Sequence, residues 1–509
     1  MPASKTSYPR FIWLIGVMWC SFLAASAIAQ TQSPLDVTVD WNQTLLTLKS
    51  SSTLQVVVNP MLRRGSPIHD GAFDSLKSVD ADYVRYVPWL PYPKLAVAEL
   101  QPPADGKTSW DFSLIDPMTE DFFSATKGHS VILNFSTIPA WMFKTAKPVT
   151  YPEGPNTVDW KYTQGTELRD PSMKELGDYY ARLVSWYTRG GFIDEAGKRH
   201  ESGHHYQIAY WEVFNEIESE HATTAQQYTE RYDAVASAIH KVNPEIKFVG
   251  LALGDPSSHP EMFEYFLNHK NHRPGTPLDM ISYHFYATPT QSQTLDDWQY
   301  TFFNQADRFL TTVRYVEAIR KRLSPETRTT LDEIGSILPT DNTPEDTKNL
   351  IPDAYWNASG AVYAYVFMQT AKLGIDVVGE SQLVGYPSQF PSVSMVDWKA
   401  GNPNARLRVL MLLHRSLSLG DKLVDTKISG NAVAAQAFLT PTEKKLLLVN
   451  KRNREVTVTL PAVFAGSQQT AVDVSTGAGS PTTTLISGRK LSLKPFSVCV
   501  VTTPTPKGS

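Results

Sequence analysis

Hydrophobic and polar positions follow two different patterns along the chain, and the changes between them divide it into regions. Residues 35–48 alternate apolar and polar side chains, which is typical of a strand with one exposed face. From about residue 53 to 400, short apolar runs alternate with longer stretches in which apolar residues have helical spacing. This order is typical of βα units around a parallel sheet that is buried on both faces.

Eight apolar runs in the central region have the length and composition of buried strands. Helical spacing between them is clearest over residues 222–242 and 354–373. Eight strands in sequence, with helices between them, is the number that a (β/α)8 TIM barrel requires. The predicted strands are 54–59, 83–87, 130–135, 209–215, 247–251, 280–285, 329–333 and 376–379.

After residue 405 the pattern changes again, to short β-like segments separated by Gly, Asn, Ser, Thr and Pro. This predicts an appended C-terminal antiparallel β-sandwich over 405–503 and a polar tail over 504–509. The catalytic barrel is predicted over 53–404, and segment 30–52 is predicted to add a strand to the β domain. The segments read as strands are 433–439, 445–449, 456–460 and 490–501.

The first 29 residues resemble a signal peptide. Lys5 and Arg10 precede the apolar run 11–27, and Ala-Ile-Ala at 27–29 is a typical cleavage site. The apolar run is short and ends in small residues, which favours cleavage over a membrane anchor. We therefore predict a secreted or periplasmic protein with no stable membrane insertion after cleavage. Cleavage removes Cys20 and leaves Cys499 as the one cysteine of the mature chain, so no internal disulfide can form.

Composition and charge exclude several functions. The 509-residue chain has a formal net charge of −4, which argues against nucleic acid as a partner. No group of His and Cys has zinc spacing, and the sequence contains neither a phosphate-binding glycine loop nor a Gly-x-Ser-x-Gly motif. The sequence thus predicts no metal and no cofactor, and it leaves the oligomeric state open.

Two of the predicted strands run into glutamate. The fourth leads to Asn215-Glu216 and the seventh to Asp332-Glu333. The carboxyl ends of barrel strands meet at one face, where active sites lie. Glycosidic cleavage needs two carboxyl groups, one to protonate the leaving oxygen and one to attack the anomeric carbon or activate water. Glu216 and Glu333 are the candidate catalytic pair, and Glu380 after the eighth strand is a weaker alternative.

These motifs resemble the retaining (β/α)8 glycosidases of clan A, the 4/7 superfamily. Within that clan the sequence is most similar to glycoside hydrolase family 39, the family of β-xylosidases and α-L-iduronidases. The similar segments are 139–141 (Pro-Ala-Trp), 210–216 (Tyr-Trp-Glu-Val-Phe-Asn-Glu) and 281–286 (Ile-Ser-Tyr-His-Phe-Tyr). Two positions depart from the pattern, since Ile217 stands where proline often follows the acid/base and Ile334 where an aromatic residue often follows the nucleophile.

The resemblance implies roles for the residues at the two strand ends. Glu216 would act as general acid and then as general base, and Glu333 would be the nucleophile. Asn215 would hydrogen-bond the sugar 2-hydroxyl, a contact that strengthens in the transition state. Each residue has a structural alternative, because an Asn-Glu pair is also common in turns and helix caps.

The resemblance also implies a floor of residues around the nucleophile. Arg85 on the second strand would hold Glu333 ionised, because a nearby positive charge favours the carboxylate. Tyr286 would donate a hydrogen bond to Glu333, and His284 would line the same floor. The last two lie two residues apart on one strand and therefore point the same way. The alternative for all three is a buried core position with satisfied hydrogen bonds.

Four further residues are candidates for substrate contact. Tryptophan side chains stack on the apolar faces of sugar rings, although each could equally belong to the core. The candidates are Trp89, Trp141, Trp398 and the third-strand residue Asn134.

The sequence therefore predicts a secreted retaining glycosidase that hydrolyses O-glycosidic bonds and acts from chain ends on xylosidic or related plant or microbial glycans. Its partner is an oligo- or polysaccharide substrate. Two alternatives stay open. One is an endo-acting polysaccharide hydrolase or transglycosylase of the same clan, which product analysis would distinguish. The other is a non-catalytic secreted carbohydrate-binding protein, against which the retention of both glutamates argues.

Overall fold

A computed structural model describes residues 33–162, 164–339, 341, 351–386 and 389–505. The predicted signal peptide lies outside the described residues. Within those ranges, no helix combines the length and the hydropathy needed to cross a bilayer.

Strands and helices alternate through the centre of the chain, and strands dominate its last hundred residues. Numbered along the chain, the strands are β1 (Leu35–Thr47), β2 (Ser51–Val57), β3 (Val84–Val87), β4 (Val131–Leu133), β5 (Gly191–Ile193), β6 (Arg199–Glu201), β7 (Tyr210–Glu212), β8 (Lys247–Leu253), β9 (Met280–Ala287), β10 (Arg328–Ser336), β11 (Val377–Glu380), β12 (Lys422–Ile428), β13 (Val433–Leu439), β14 (Glu443–Asn450), β15 (Val456–Thr459), β16 (Gln468–Val472), β17 (Thr482–Leu485), β18 (Lys490–Leu493) and β19 (Val498–Pro504). The α-helices are α1 (His69–Val79), α2 (Asp116–Ala125), α3 (Lys174–Thr188), α4 (Ala225–Val242), α5 (Pro260–Phe266), α6 (Leu295–Leu323), α7 (Asp353–Leu373) and α8 (Ala405–Ser416).

Eight strands close into a parallel barrel in the order β10-β11-β2-β3-β4-β7-β8-β9. They correspond to the eight strands predicted from the sequence, which confirms the TIM-barrel fold. In β10 every residue after Arg328 is buried, and in β2 every residue after Ser51 is buried. Burial of consecutive positions is expected where side chains fill the barrel on one face and meet the helices on the other.

The helix α8 begins directly after the predicted domain boundary at residue 404. Residues 405–416 form a helix before the first strand of the β domain, and this helix contacts both β2 of the barrel and β16 of the β domain. Its apolar residues Leu407, Leu410 and Leu413 are buried at helical spacing. The first strand of the β domain after the barrel begins only at Lys422.

The C-terminal domain is a nine-stranded, mainly antiparallel sheet in which β1 lies between β12 and β15, third from the β18 edge. Alternate residues of its strands face two cores. Leu446, Leu448 and Cys499 belong to the core of the domain itself, while Leu447 and Val449 join the core shared with the barrel. The predicted segment 490–501 is two strands, β18 and β19, because the chain turns between them with Phe496 at a φ of 51°.

Candidate active site

The two predicted catalytic glutamates lie at the same mouth of the barrel. Glu216 follows the end of β7, and Glu333 lies within β10. One carboxylate oxygen of each residue and one ring nitrogen of His284 all lie within 4.8 Å of one another. The side chain of Glu333 is 10% exposed and that of Glu216 is 28% exposed. The barrel thus brings together two carboxyl groups that are 117 residues apart in sequence (333 minus 216).

A β-bulge in β10 explains how two consecutive acidic residues face the same interior. The parallel register between β10 and its neighbours shifts between Leu331 and Ile334. Regular alternation would send Asp332 and Glu333 to opposite faces, whereas a bulge re-aims side chains locally. Both carboxyl groups consequently reach the guanidinium of Arg85, at 3.1 Å for Asp332 and 2.5 Å for Glu333.

Arg85, 1% exposed on β3, is the centre of a buried hydrogen-bond network. Its Nη1 donates to Glu333 Oε1 at 2.5 Å and to Gln55 Oε1 at 2.6 Å. Its Nε donates to Glu212 Oε2 at 2.5 Å, and its Nη2 donates to Asn215 Oδ1 at 2.7 Å. A guanidinium has donors directed in several directions, so this one residue fixes the positions of several polar groups of the barrel floor.

The surroundings of Glu333 favour its ionised form. Burial alone would raise the pKa of Glu333, but the positive charges of His284 and Arg85 and a hydrogen bond from Tyr286 lower it below the usual value. The Tyr286 hydroxyl donates to Glu333 Oε2 at 2.6 Å. Burial and the charge of Glu333 raise the pKa of Tyr286 well above its usual value, so the phenol stays protonated as a donor. Glu333 is therefore held as a carboxylate, the form that a nucleophile needs.

His284 on β9 is a buried cation between the two catalytic candidates. Its Nδ1 lies 3.1 Å from Glu216 Oε1 and 3.5 Å from Glu333 Oε2. Burial opposes its charge, yet the neighbouring carboxyl groups of Glu333, Glu216 and Asp332 outweigh burial and raise the pKa of His284 to about 9. The imidazolium thus adds positive charge at the point where the two glutamates face each other.

Asp332 and Glu212 form a buried acidic pair beneath the site. Burial and the charge of Glu212 raise the pKa of Asp332 well above its usual value. Burial opposes ionisation of Glu212 too, but the charge of Arg85 and a hydrogen bond from Ser282 lower its pKa. The arrangement therefore favours a proton on Asp332 over one on Glu212.

Glu216 lies on an irregular stretch of backbone. Phe214 and Glu216 have φ angles of 66° and 40°, in the left-handed region that costs residues with side chains about 1–3 kcal/mol each. The Glu216 backbone N–H donates to the Ala252 carbonyl at 2.9 Å. A Cβ at Gly254 would lie only 2.7 Å from Glu216 Oε1, so the glycine leaves the space that this carboxyl group occupies.

The two glutamates open into a cavity of about 280 Å³ with an aromatic wall. Trp89 contacts Trp160 edge to face, with ring centroids 5.4 Å apart, and stacks on Phe390 at 6.3 Å. The other lining residues are Val57, Val87, Asn215, Glu216, Tyr286, Glu333, Ile337, Gln382 and Val393. A small cavity with apolar walls and a few polar groups at its floor is the usual form of a site for a small ligand.

The structure brings seven of the ten predicted site residues together. Five of them line the cavity, and Arg85 and His284 lie in its floor against Glu333 and Glu216. The five are Glu216, Glu333, Asn215, Tyr286 and Trp89.

The other three predicted site residues do not line this cavity, and their sugar contacts stay predictions. Trp141 donates to the Glu99 carbonyl at 2.9 Å and is covered by the guanidinium of Arg169 at 4.4 Å. Trp398 donates to the Gly385 carbonyl and lines a separate crevice of about 710 Å³. Asn134 is fully buried and donates to Glu212 Oε2 at 2.7 Å, so it supports the floor.

Several residues of the site carry no recognisable sequence signal. Trp160 and Phe390 come from long loops without hydrophobic periodicity, and Gly254 reads as an ordinary turn after β8. Glu220, four residues after Glu216, contacts both Asn215 and Trp89. Only its proximity in sequence to Glu216 could have drawn attention to it.

Among the described residues, one group of side chains has the spacing of a metal site, and it contains both candidate catalytic glutamates. Glu216, His284 and Glu333 each offer one atom within 4.8 Å of the others. However, the Glu333 oxygens already accept from Arg85 and Tyr286, and His284 is held as a cation. A divalent cation here would face a guanidinium and an imidazolium, which disfavours metal binding.

Comparison with known proteins agrees with this geometry. The α-L-arabinofuranosidase 1 domain family matches residues 157–308, less than half of the chain. This segment contains Glu216, His284 and Tyr286 but neither Arg85 nor Glu333. No curated protein sequence matches the chain.

Similar solved structures cover nearly the whole chain at low sequence identity. One is the GH51 arabinofuranosidase from Xanthomonas axonopodis pv. citri, with a TM-score of 0.62, 13% identity and coverage of 93% of this chain and 100% of that one. Another is the α-L-arabinofuranosidase from Thermotoga maritima, with a TM-score of 0.61, 12% identity and coverage of 92% and 100%. The GH30 endoxylanase from Clostridium papyrosolvens C71 has a TM-score of 0.57, 14% identity and coverage of 92% and 100%.

These likenesses establish the fold, a TIM barrel with an appended β domain. Together with the family match, they support a glycoside hydrolase. The resemblance to family 39 stays a prediction.

Proposed function

We propose that the protein is a retaining exo-glycosidase that releases terminal pentosyl groups from glycans, with α-L-arabinofuranosides as the preferred substrates and β-D-xylosides as the second choice. The observation that carries the proposal is the pairing of an ionised Glu333 with Glu216 at one small cavity. The match to the arabinofuranosidase domain family, which includes the Glu216 strand, supports the choice of pentose.

In the first step, Glu333 attacks the anomeric carbon while the bond from that carbon to the leaving oxygen breaks. Glu216 gives its proton to the leaving oxygen, so the aglycone departs as a neutral alcohol and the sugar becomes a Glu333 ester. In the second step, Glu216 accepts a proton from water as the water oxygen attacks the anomeric carbon. The ester bond breaks, Glu333 returns as a carboxylate, and the two inversions give net retention.

The spacing of the two carboxyl groups favours retention over inversion. One oxygen of Glu216 and one of Glu333 lie within 4.8 Å of each other. Retaining enzymes hold the two groups about 5–5.5 Å apart, whereas inverting enzymes need about 6.5–9.5 Å to admit water between them. The surroundings of Glu333 also support a nucleophilic role, because Arg85, His284 and Tyr286 all stabilise negative charge on its carboxylate.

The size of the cavity favours exo action. Its volume of about 280 Å³ lies below the roughly 300–1,000 Å³ typical of sites for drug-sized ligands, which suits a single sugar ring. A more open groove of about 390 Å³ contains Tyr286, His284, Gly254 and Arg308, and so begins beside Glu216. This groove offers room for the leaving group on the side of the proposed proton donor.

The test is hydrolysis of a panel of 4-nitrophenyl glycosides, with α-L-arabinofuranoside and β-D-xylopyranoside beside hexosides. The product configuration is read by NMR before mutarotation. The proposal predicts turnover of a pentoside with retention, and release of single sugars from oligosaccharides. Inversion would contradict the mechanism, and release of internal fragments from polysaccharides would favour the endo-acting alternative.

The cellular location of the protein is a separate proposal, which depends on the predicted signal peptide. We propose that residues 1–29 direct the protein out of the cytoplasm and are then removed. Expression of the full chain in a bacterial host should give an exported protein whose N-terminus is Gln30. Recovery of the intact chain in the cytoplasmic fraction would contradict this proposal.

A further inference from the structure

Glu220 is a third carboxyl group, four residues after Glu216, and it contacts two of the residues that line the catalytic cavity. Its backbone N–H donates to the Glu216 carbonyl at 2.8 Å, which ties it to the loop that carries the proposed acid/base. The reaction proposed above uses Glu216 and Glu333 but assigns nothing to this third acid.

One oxygen of Glu220 accepts hydrogen bonds from two residues that line the cavity. Glu220 Oε1 receives the Nδ2 of Asn215 at 2.9 Å and the indole Nε1 of Trp89 at 2.5 Å. The other end of the Asn215 amide, Oδ1, receives Arg85 at 2.7 Å. The amide is therefore fixed at both ends, between the residue that holds the nucleophile and a carboxyl group on the acid/base loop.

The second oxygen of Glu220 has no such contact. Oε2 is buried and has no hydrogen-bond partner among the described residues. Burial and the nearby charges of Glu216 and Glu333 raise the pKa of Glu220 well above its usual value. A neutral carboxyl group fits this arrangement, because its carbonyl oxygen accepts two donors while its hydroxyl lies on the unpartnered side.

We propose that Glu220 is a positioning residue for the glycosidase reaction: it holds the Asn215 amide and the Trp89 indole in the orientation in which they meet the sugar. This inference rests on the proposed function. It explains why one acid contacts two cavity residues that come from different strand ends, β3 and β7.

Glu218 provides a matched comparison in the same loop. Its Oε1 accepts from the backbone N–H of Asp255 at 2.8 Å, and its Oε2 is likewise buried without a partner. Burial raises the pKa of Glu218 too. It differs from Glu220 in contacting backbone rather than cavity side chains, so Glu218→Ala measures the general effect of removing a buried acid from this loop.

The test compares Glu220→Ala, Glu220→Gln and Glu218→Ala on the pentoside that the wild type cleaves. Glutamine keeps the oxygen that accepts both donors and has the shape of the neutral acid. We expect kcat/KM to fall at least about tenfold in Glu220→Ala, which loses two hydrogen bonds, and to stay within about threefold in Glu220→Gln and Glu218→Ala. Equal losses in Glu220→Ala and Glu220→Gln, or in Glu220→Ala and Glu218→Ala, would overturn the proposal.

A spectroscopic readout separates this proposal from the proposed function. In protein labelled with ¹⁵N-tryptophan, Trp89→Phe identifies the indole resonance of Trp89. We expect that resonance at low field in the wild type and in Glu220→Gln, and shifted upfield in Glu220→Ala. A wild type that cleaves no glycoside would refute the proposed function while the resonance still reports the contact. An unshifted resonance in Glu220→Ala would overturn the positioning role.

Discussion

The two halves of the catalytic site are built differently. Glu333 lies inside the barrel strand β10, at its bulge, is 10% exposed and accepts hydrogen bonds from Arg85 and Tyr286. Glu216 lies beyond the end of its strand, on left-handed backbone, is 28% exposed and has its closest charged neighbour in His284 at 3.1 Å. The contrast matches the two proposed tasks, since a nucleophile must stay ionised in one place whereas an acid/base must exchange protons with solvent.

Removing the proton donor should have the largest effect and should depend on the leaving group. Glu216→Gln keeps the shape of the side chain but cannot protonate the departing oxygen. We expect kcat/KM to fall about 10²- to 10⁴-fold for alkyl glycosides and much less for 4-nitrophenyl glycosides, whose leaving group needs little assistance. Steady-state rates on the two substrate classes test this. Equal losses on both would argue against the acid role.

Removing the cation on the nucleophile side should destabilise the whole barrel. Arg85→Met leaves Glu212 and Glu333 buried without their guanidinium, which costs about 3–5 kcal/mol of unfolding free energy. Arg64→Met is the control, because Arg64 pairs with Asp121 at the surface and such pairs contribute about 0–1 kcal/mol. Urea unfolding of both variants measures the difference. Similar losses would contradict the central place of Arg85.

Deprotonation of His284 should remove the positive charge that lies near both Glu216 and Glu333. The pKa of His284 is raised to about 9, so the imidazolium is present below that pH and is lost as pH rises through it. Glu333 then loses a favourable positive neighbour. We expect the kcat/KM profile to decline with an apparent pKa near 9 and this limb to disappear in His284→Asn. An unchanged alkaline limb in that variant would assign it to another group.

We expect the smallest effect from substitution of Asp332, which lies beneath the proposed nucleophile. Burial and the charge of Glu212 raise the pKa of Asp332 well above its usual value, which favours the neutral acid, and Asp332→Asn introduces a neutral side chain of the same shape. Activity should stay within about threefold and unfolding free energy within about 1 kcal/mol, because the replacement is uncharged and neither Asp332 oxygen has a hydrogen-bond partner among the described residues to lose. Glu212→Gln, which removes an ionised partner of Arg85, should cost clearly more in the same unfolding assay. The reverse order would show that the proton resides on Glu212.

The sequence predicted those features that appear as hydrophobic periodicity or as residues at the ends of strands. The barrel strands are visible as apolar runs, and residues at their ends, such as Glu216 and Glu333, must meet at one mouth. The sequence could not show that Trp141 and Trp398 do not line the cavity, because the direction of their side chains depends on loop conformation, which has no periodic pattern. The β-bulge that turns Asp332 and Glu333 to the same side is likewise not indicated by the alternation of apolar and polar residues.

Residues that act through other side chains were also beyond the sequence. Glu220 and Trp160 come from irregular segments, and their relevance depends on contacts with the cavity residue Trp89 that only the folded chain creates. For Asn134 the strand was predicted, but the direction of the side chain was not. The Asn134 amide hydrogen-bonds Glu212 beneath the site.

Azide rescue of two alanine variants tests the division of labour most directly. Glu216→Ala and Glu333→Ala are each incubated with an active aryl pentoside and sodium azide, and the products are identified by NMR. The account predicts recovered turnover in both, with a glycosyl azide of retained configuration from Glu216→Ala and of inverted configuration from Glu333→Ala. Wild-type-like activity of Glu333→Ala without azide, or the same product configuration from both variants, would contradict it.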